Sequence, residues 1–384
     1  MNISAFHKCA NCGACSNLCP QSVITVEQDG LFYKPVVHED KCMHCGLCSK
    51  RCPVNAETEA FAPMYACAGW HKLPQVVYNS SSGGVFHGLA EDTIARGGVV
   101  FGAVYTGDCR EVRFASSDEV ELAQLRKSKY VESLVGEAFA RVKAELAKGR
   151  DVLFCGTPCQ VAGLYAFLGH RPERLLACDF ACGGLPSHKV YQDYLQEMEK
   201  KYGAAAVSMD FRPKTHGWRR YAVQIRFKNG RSYNHLGTED PYLRSFLYGK
   251  YTVRDDCLDC KFSDHHAADL TIADFWLNTK LSVLDNSDGV SLILCNTPAG
   301  KQAVERIRTQ YELWEVPVSD ASYNHKKTET TPEERARHDA FLRLCAEKGL
   351  TAACKQYLPI SAKNQLKNYV RRMFCKTRGR KNEQ

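Results

Sequence analysis

Two copies of one cysteine pattern occupy the start of the chain. In each copy four cysteines are spaced C-x2-C-x2-C-x3-C, and proline follows the last one. The first copy comprises Cys9, Cys12, Cys15 and Cys19, and the second, which starts 33 residues later, comprises Cys42, Cys45, Cys48 and Cys52. Thiolates this close together can cup an iron–sulfur cube, and the proline keeps the chain from continuing as a helix. Zinc is the alternative metal, but it prefers two C-x2-C pairs around one tetrahedral ion.

The doubled pattern resembles the motif of bacterial two-cluster ferredoxins. This resemblance implies two 4Fe-4S clusters, in which the fourth cysteine of each run binds the cluster of the other run. One ligand set is then Cys9, Cys12, Cys15 and Cys52, and the other is Cys19, Cys42, Cys45 and Cys48. Between the runs, residues 23–27 and 31–37 have strand character and are separated by a Gln-Asp-Gly turn, so we predict a hairpin. We assign residues 1–60 to a two-cluster ferredoxin domain.

Twelve of the 20 cysteines lie outside this domain. Four are placed suggestively: Cys257 and Cys260 form a C-x2-C pair, Cys159 follows a Gly-Thr-Pro turn, and Cys182 precedes a Gly-Gly pair. The residues alone fit a redox dithiol, half a zinc site or a third 4Fe-4S cluster equally well. Cys155 and Cys178 compete for the same role. We interpret the remaining cysteines as small hydrophobic residues: Cys67, Cys109, Cys295, Cys345, Cys354 and Cys375.

The elements that position these residues alternate between helix and strand. The pattern predicts a helix over 84–96 followed by a strand over 97–105, then a helix over 134–148 followed by a strand over 151–155, which favours an α/β core. Two helix starts carry small residues whose backbone amides could hold a phosphate, Ser80–Gly84 and Gly156–Pro158. Serine and glycine are also ordinary helix caps, and the chain has neither G-x-G-x-x-G nor a Walker sequence.

Length and composition are those of a soluble protein of two or three domains, with 384 residues, 44% hydrophobic and 24% charged. The many cysteines and the missing signal segment predict metal ligands in the reducing cytoplasm rather than disulfides. Residues 361–384 carry eight Lys or Arg and one Glu, so +7 of the net charge of +8 lies in this tail. We therefore predict no nucleic-acid binding, and we assign residues 346–384 to a basic tail that frays or touches an anionic membrane or acidic partner.

From about residue 65 to 280, the chain resembles the coenzyme F420 hydrogenase/dehydrogenase beta subunit family. Seven blocks occur in the same order in both: SSGGVF from Ser81, SKYVES from Ser128, FCGTPCQVAGL from Phe154, CGGLPS from Cys182, FRPK from Phe211, RDDCLDCKF from Arg254 and ADLTIADFW from Ala268. We assign residues 61–345 to a domain of this type. The family often shows Gly-Asp-Phe-Trp-Gly where this chain has Ala273-Asp-Phe-Trp-Leu277, so its acceptor need not be the deazaflavin F420.

The resemblance implies FAD and a third 4Fe-4S cluster in the larger domain. The third cluster would be held by Cys159, Cys182, Cys257 and Cys260. Flavin or substrate contacts would come from Ser82, Gly83, Gly84, Ser128, Lys129, Tyr130, Gly156 and Thr157. Lys129 is the candidate catalytic residue, as a cation beside the flavin or its phosphates. Acid–base or anion-contact candidates are Arg212, Lys214, His265 and His266.

The expected fold is mixed α/β, with a ferredoxin-like module followed by a larger flavin- and iron–sulfur-binding domain. The expected function is that of a flavin-dependent oxidoreductase, which moves electrons between its clusters, FAD and an organic two-electron acceptor. Its partners would be a redox protein such as ferredoxin and a small-molecule acceptor. Two alternatives remain open: a non-catalytic electron-transfer subunit of a larger redox complex, and a regulator in which the clusters are sensors or staples.

Overall fold

The computed structural model describes residues 2–5, 8–276, 286–321 and 329–360. The strands are β1 Ile24–Asp29, β2 Phe32–Val37, β3 Tyr65–His71, β4 Val99–Tyr105, β5 Val112–Ser116, β6 Ser133–Leu134, β7 Val152–Cys155, β8 Leu175–Phe180, β9 Ala206–Asp210, β10 Ala222–Phe227, β11 Ser232–Leu236, β12 Leu270–Asp274, β13 Ser291–Cys295 and β14 Tyr311–Glu315. The α-helices are α1 Ala14–Leu18, α2 Leu47–Lys50, α3 Pro74–Tyr78, α4 Val85–Ala95, α5 Leu122–Leu125, α6 Ala138–Ala147, α7 Pro158–Leu168, α8 His188–Tyr202, α9 Pro241–Leu247, α10 Pro298–Ile307, α11 Pro332–Lys348 and α12 Leu350–Tyr357. Short 3-10 helices lie at Ile3–Ala5, Glu39–Lys41, Lys214–His216, Asp255–Cys257, Arg308–Gln310 and Val318–Asp320.

The N-terminal module is built from the predicted hairpin and two short helices. Strands β1 and β2 pair antiparallel, with Ile24 opposite Val37. Helices α1 and α2 each begin after a glycine in the left-handed region, Gly13 and Gly46. A Cβ on Gly13 would lie 2.7 Å from the Cβ of Val135, so the module is docked closely on the larger domain at this helix.

The larger domain is organised around a nine-stranded sheet in the order β14-β3-β13-β12-β8-β7-β4-β5-β6. Its centre is parallel: β12 pairs parallel with β8, β8 with β7, and β7 with β4. Ligands in such sheets bind in the crevice beyond the carboxyl ends of the parallel strands. The segments that follow β7, β8 and β12 therefore define where a site should be sought. The mixed α/β fold with a ferredoxin-type module is confirmed.

A second, three-stranded sheet in the order β11-β10-β9 packs against helices and encloses a separate aromatic core. Tyr191, Tyr242 and Phe211 are fully buried in it. Helix α11 runs through the predicted boundary at 345/346, and Cys354 of α12 is buried in the same core. The larger domain therefore continues to the end of α12 because these two helices close its core, and the predicted tail boundary is too early. Residues 361–384 lie outside the described part of the chain.

No disulfide bond joins the cysteines in the described part of the chain. Those interpreted as small hydrophobic residues, apart from Cys375, which lies outside the described residues, are buried: Cys67, Cys109, Cys295, Cys345 and Cys354. Within the described residues, the helices are too short or too polar to cross a membrane.

Candidate functional site

The eight motif cysteines divide into the two sets expected from the ferredoxin pattern. Burial, together with the neighbouring Cys9 and Cys52 thiols, raises the pKa of the Cys15 thiol to about 12. The same two neighbours act on Cys12. A small cavity is lined by the members of the other set, Cys19, Cys42, Cys45 and Cys48. Cys52 thus lies near the cysteines of the first run and Cys19 near those of the second, and the two ligand sets stay a prediction.

The four candidate ligands of a third cluster also converge. Burial raises the pKa of the Cys257 thiol, and Cys182, Cys260 and Cys159 raise it further because the four sulfurs are close. Cys159 is the second residue of α7, where the Thr157–Gln160 capping box fixes the start of the helix. Cys182 follows β8. Cys257 ends the 3-10 helix Asp255–Cys257, and Cys260 follows it after a two-residue turn. Three separate segments thus deliver one four-thiol set, in which Cys159 is buried and the other three cysteines are half-buried.

The three cysteine sets are not packed as tightly as a bound zinc ion would require. A tetrahedral zinc with Zn–S bonds of about 2.3 Å would hold its sulfurs about 3.8 Å apart. In the described part of the chain, the only groups of three or more potential ligand atoms within 4.8 Å of one another are Glu39–Cys42–His44 and Asp255–His338–Asp339. None of the three cysteine sets is that tight.

The competing cysteines form a pair of their own. Cys155 and Cys178 lie opposite each other on the neighbouring parallel strands β7 and β8. Contact with the Cys155 thiol and burial together raise the pKa of Cys178. Because Cys155 and Cys178 contact each other rather than the four converging thiols, we expect neither to replace a member of the third set.

The ferredoxin-type module and the third cysteine set meet at helix α7. A Cβ on Gly163 would lie 3.1 Å from the carbonyl oxygen and 3.2 Å from the sulfur of Cys12. One turn earlier, the Cys159 thiol donates to the carbonyl of Ala10 at 3.7 Å. Glycine at this position lets the helix approach the cysteine loop, so one N-terminal set and the third set are neighbours.

A cavity of about 610 Å³ opens beyond the carboxyl ends of β7, β8 and β12. This volume lies within the range of cofactor and ligand sites. The predicted flavin contacts that line it are Ser82, Gly84, Ser128, Lys129, Tyr130, Gly156 and Thr157. Cys182 also lies in its wall, so the third cysteine set borders the cavity directly.

The two predicted phosphate-binding helix starts differ in the structure. At α7, the Thr157 amide donates to the Gln160 side chain at 3.0 Å and the Gly156 amide to the Cys178 carbonyl at 3.2 Å, so both amides already have acceptors. At α4, Gly84 is the N-cap, with φ of 93°, and provides no side-chain cap. The α4 start, which faces the cavity, is therefore the better anion site.

Gly83 lies behind the cavity wall rather than in it. Its amide donates to the Ser291 hydroxyl at 2.9 Å. An added Cβ would lie only 2.3 Å from the Gly69 carbonyl oxygen, so glycine is required here for packing. The prediction that Gly83 contacts a ligand is therefore not supported by its position.

Lys129 lines the cavity, but its ammonium group is engaged by the protein. Its Nζ donates to the Arg126 carbonyl at 2.7 Å and to the Lys127 carbonyl at 3.2 Å. Burial lowers the pKa of Lys129 to about 7. At neutral pH this side chain can therefore hold or release a proton, whereas it is a poor permanent cation.

Arg126 is the cation that sequence reasoning missed. Its Nε is buried with no hydrogen-bond partner, and its Nη1 lies 3.4 Å from His87 Nδ1. Burial lowers the pKa of Arg126, against a weaker opposing effect of Glu91. Both Arg126 and His87 line the cavity beside the start of α4. The only sequence signal was its place in the basic run that precedes Tyr130.

The opposite wall of the cavity carries an internal ion pair. Arg212 bonds Asp274 at 2.9 Å and also donates to the Ser81 carbonyl at 3.0 Å. The Trp218 and Trp276 rings stack beside it, with centroids 4.8 Å apart. Because Asp274 already compensates the guanidinium, this wall offers a nearly neutral, aromatic surface.

The remaining candidates lie away from the lining. Lys214 donates to the backbone carbonyls of Val77 and, at 2.9 Å, Ser82. His266 Nδ1 is 2.9 Å from the buried carboxylate of Asp179. His265 Nε2 is 2.9 Å from the Thr58 carbonyl, which lies in the linker between α2 and β3. These side chains support the walls rather than face the cavity.

The comparisons with known proteins agree with this architecture. Residues 149–321 match the family described as the C terminus of the beta subunit of coenzyme F420 hydrogenase/dehydrogenase. Residues 8–56 match the 4Fe-4S dicluster domain, so the expected N-terminal module is confirmed.

A similar solved structure is a chain of the F420-reducing NiFe hydrogenase complex from Methanosarcina barkeri. It is 14% identical, the alignment covers 77% of this chain and 91% of that chain, and the TM-score is 0.48. No curated protein sequence matches the chain significantly. The family and domain matches identify an iron–sulfur electron-transfer protein related to the beta subunit.

Proposed function

We propose that this chain is an iron–sulfur flavoprotein oxidoreductase that exchanges electrons between three 4Fe-4S clusters, FAD and an organic two-electron acceptor. The observation that carries the proposal is the position of the third cysteine set. Cys159 lies beside Cys12 of the ferredoxin-type module, and Cys182 lies in the wall of the cavity. This arrangement links the N-terminal cysteines to a ligand-sized cavity within one chain.

Each group of residues has a role in this proposal. Clusters accept single electrons, whereas a flavin holds two and can deliver a hydride equivalent. The start of α4 and Arg126 would bind an anionic part of the cofactor, such as its phosphates. Lys129 would hold or release the proton that accompanies electron transfer, because its pKa is about 7.

The N-terminal set formed by Cys19, Cys42, Cys45 and Cys48, called the outer set here, would receive electrons from a redox partner such as ferredoxin. Cys45 is exposed, and the neighbouring Met43 is 60% exposed. The other N-terminal set is more enclosed: Cys12 and Cys52 are buried. Electrons would therefore be exchanged with the partner at the outer set. They would reach the cavity through the two inner sets, which are the N-terminal set that includes Cys9 and the third set that includes Cys159.

The test is the cofactor content of the protein purified without oxygen. About twelve iron atoms, with matching sulfide and one FAD per chain, would agree with three cubes and a flavin. About eight iron atoms and no flavin would refute the proposal. Steady turnover of an acceptor with reduced ferredoxin would then distinguish a complete reductase from a subunit that only transfers electrons to a partner enzyme.

A further inference from the structure

A buried ion pair lies where the N-terminal module meets the larger domain. Arg254 Nη1 is 2.5 Å from Glu132 Oε1, and the two side chains are 4% and 0% exposed. Burying two charges is costly unless their remaining hydrogen-bonding capacity is also satisfied. The hydrogen-bond partners of this pair therefore indicate which contact it stabilises.

The partners belong mainly to the ferredoxin-type module. Arg254 donates from Nη1 to the Tyr33 carbonyl at 2.7 Å and from Nε to the Cys9 carbonyl at 3.2 Å. Glu132 accepts from the Asn11 amide at 2.9 Å and from the Tyr33 backbone amide at 3.2 Å. The pair thus holds both the cysteine loop and the hairpin of the module.

Residues next to the pair reinforce the same contact. The His188 ring stacks on Tyr33 with a centroid distance of 3.5 Å, and its Nδ1 lies 3.3 Å from Glu132. Asp256 accepts from the Cys9 amide at 3.0 Å. Because Arg254, Asp256 and Cys257 are close in sequence, the segment that carries two ligands of the third set also grips the first cysteine of the module.

The guanidinium lies between two of the proposed clusters. Among the neighbouring charges, Arg254 has the largest effect on the pKa of the Cys9 thiol. It lowers this pKa and so opposes the increase that burial produces. Burial also acts to lower the pKa of Arg254 itself, but Glu132, Cys9 and Cys257 together raise it. One positive charge is thus shared by a ligand from each set, whereas the outer set has no such contact with it in the described residues.

We propose that Arg254 is a positioning residue of the electron path, which docks the ferredoxin-type module and makes the two clusters beside it easier to reduce than the outer one. This inference rests on the proposed function. Reduction adds one electron, and hence negative charge, to a cluster, and a fixed cation nearby stabilises that charge. Glu132 pairs with the cation and is itself held in place by Asn11 and His188. Electron transfer from the outer cluster to the clusters beside Arg254 would then be favourable.

The test compares Arg254→Gln, Arg254→Lys and Glu132→Gln in the intact holoprotein by redox titration followed by electron paramagnetic resonance. Cys45→Ala and Cys182→Ala, which each remove one cluster, assign the signals. We expect Arg254→Gln to disfavour reduction of the two inner clusters by at least tenfold, which is about 59 mV for a one-electron couple. Arg254→Lys should largely restore the wild-type values. Glu132→Gln should leave them unchanged or shift them the opposite way, and the outer cluster should not change.

Equal shifts of all three clusters, or shifts of the same sign in Arg254→Gln and Glu132→Gln, would overturn the proposal. If Arg254→Gln loses iron because Glu132 is left unpaired, the double variant Arg254→Gln/Glu132→Gln removes both charges and takes its place. It should still disfavour reduction of the inner clusters, and wild-type values in it would refute the idea.

Docking provides a second readout. Limited proteolysis of the linker at residues 54–64 should be faster in Arg254→Gln than in the wild type, and an unchanged rate would contradict the docking role. The wild-type cofactor content decides the proposed function separately. If the third cluster is missing from the wild type, the proposed function fails, and the shift of the cluster bound by Cys9 alone decides the role of Arg254.

Discussion

Arg126 provides the sharpest test of the cavity as an anion-binding site. Its Nε is buried without a partner and its Nη1 contacts only the weak acceptor on His87, so the ligand-free protein carries a poorly compensated cation. A hydrogen bond to a charged group contributes about 1.5–3 kcal/mol. At about 1.4 kcal/mol for each factor of ten, Arg126→Gln should weaken the proposed binding of FAD about 10- to 150-fold.

The same substitution should stabilise the ligand-free protein. Leaving a buried polar group unsatisfied costs about 1–3 kcal/mol. Because Arg126 is only partly buried, we expect a gain near the lower end, about 1 kcal/mol, or a rise in Tm of about 2–4 °C for a domain of this size. Lower affinity combined with higher stability is the signature of a residue kept for binding rather than for folding.

The assay is anaerobic titration of flavin-free protein with FAD, followed by flavin fluorescence, together with thermal unfolding of the same samples. Arg141→Gln is the matched control: it removes the same charge, but Arg141 is paired with Glu119 at 2.5 Å and is not part of the cavity lining. An Arg126→Gln protein that binds FAD within twofold of the wild type, or that is less stable, would refute the reasoning.

Three further predictions follow from the site. Cys182→Ala should lose about four of the iron atoms, whereas Cys178→Ser should retain them all; equal iron content in both variants, measured by iron and sulfide analysis, would contradict the ligand assignment. Gly163→Val should loosen the docking of the N-terminal module, because even a Cβ lies 3.1 Å from the Cys12 carbonyl; proteolysis of the linker should accelerate, and an unchanged rate would count against this contact. Burial lowers the pKa of Lys129 from 10.5 to about 7, so between these values the unfolded chain holds a proton that the native protein lacks. Native stability should therefore rise with pH in that window, and urea unfolding of Lys129→Met should show a smaller rise; an equal rise would refute the shift.

The dicluster module could be predicted from the sequence because its ligands are local. Three of the four thiols in each set lie within seven residues of one another, so the spacing matches the two-cluster ferredoxin motif, which implies the chemistry. The central strands and helices were also predictable, since strands such as β4 and β7 are short apolar runs followed by turn residues. These features depend on near neighbours in the chain.

The third set and the cavity depended on tertiary structure. Cys159, Cys182 and Cys257 lie 23 and 75 residues apart, and the residues alone left a dithiol, a zinc site and a cluster open. Family resemblance selected the four cysteines, but only the fold brings them together at the carboxyl edge of the parallel strands. The same fold pairs Cys155 with Cys178 on neighbouring strands, so these two thiols contact each other rather than that set.

Charge compensation was the least visible property in the sequence. Nothing in the residue order distinguishes Lys129, whose ammonium is satisfied by nearby carbonyls, from Arg126, which is left without a full set of partners. Glu132 and Arg254 are 122 residues apart, yet they form one buried pair across the domain contact. The sequence by itself determined which metal chemistry the N-terminal cysteines perform. The tertiary structure decided which charges are neutralised and which remain available, because the free energy of a buried charge depends on the partners that folding brings to it.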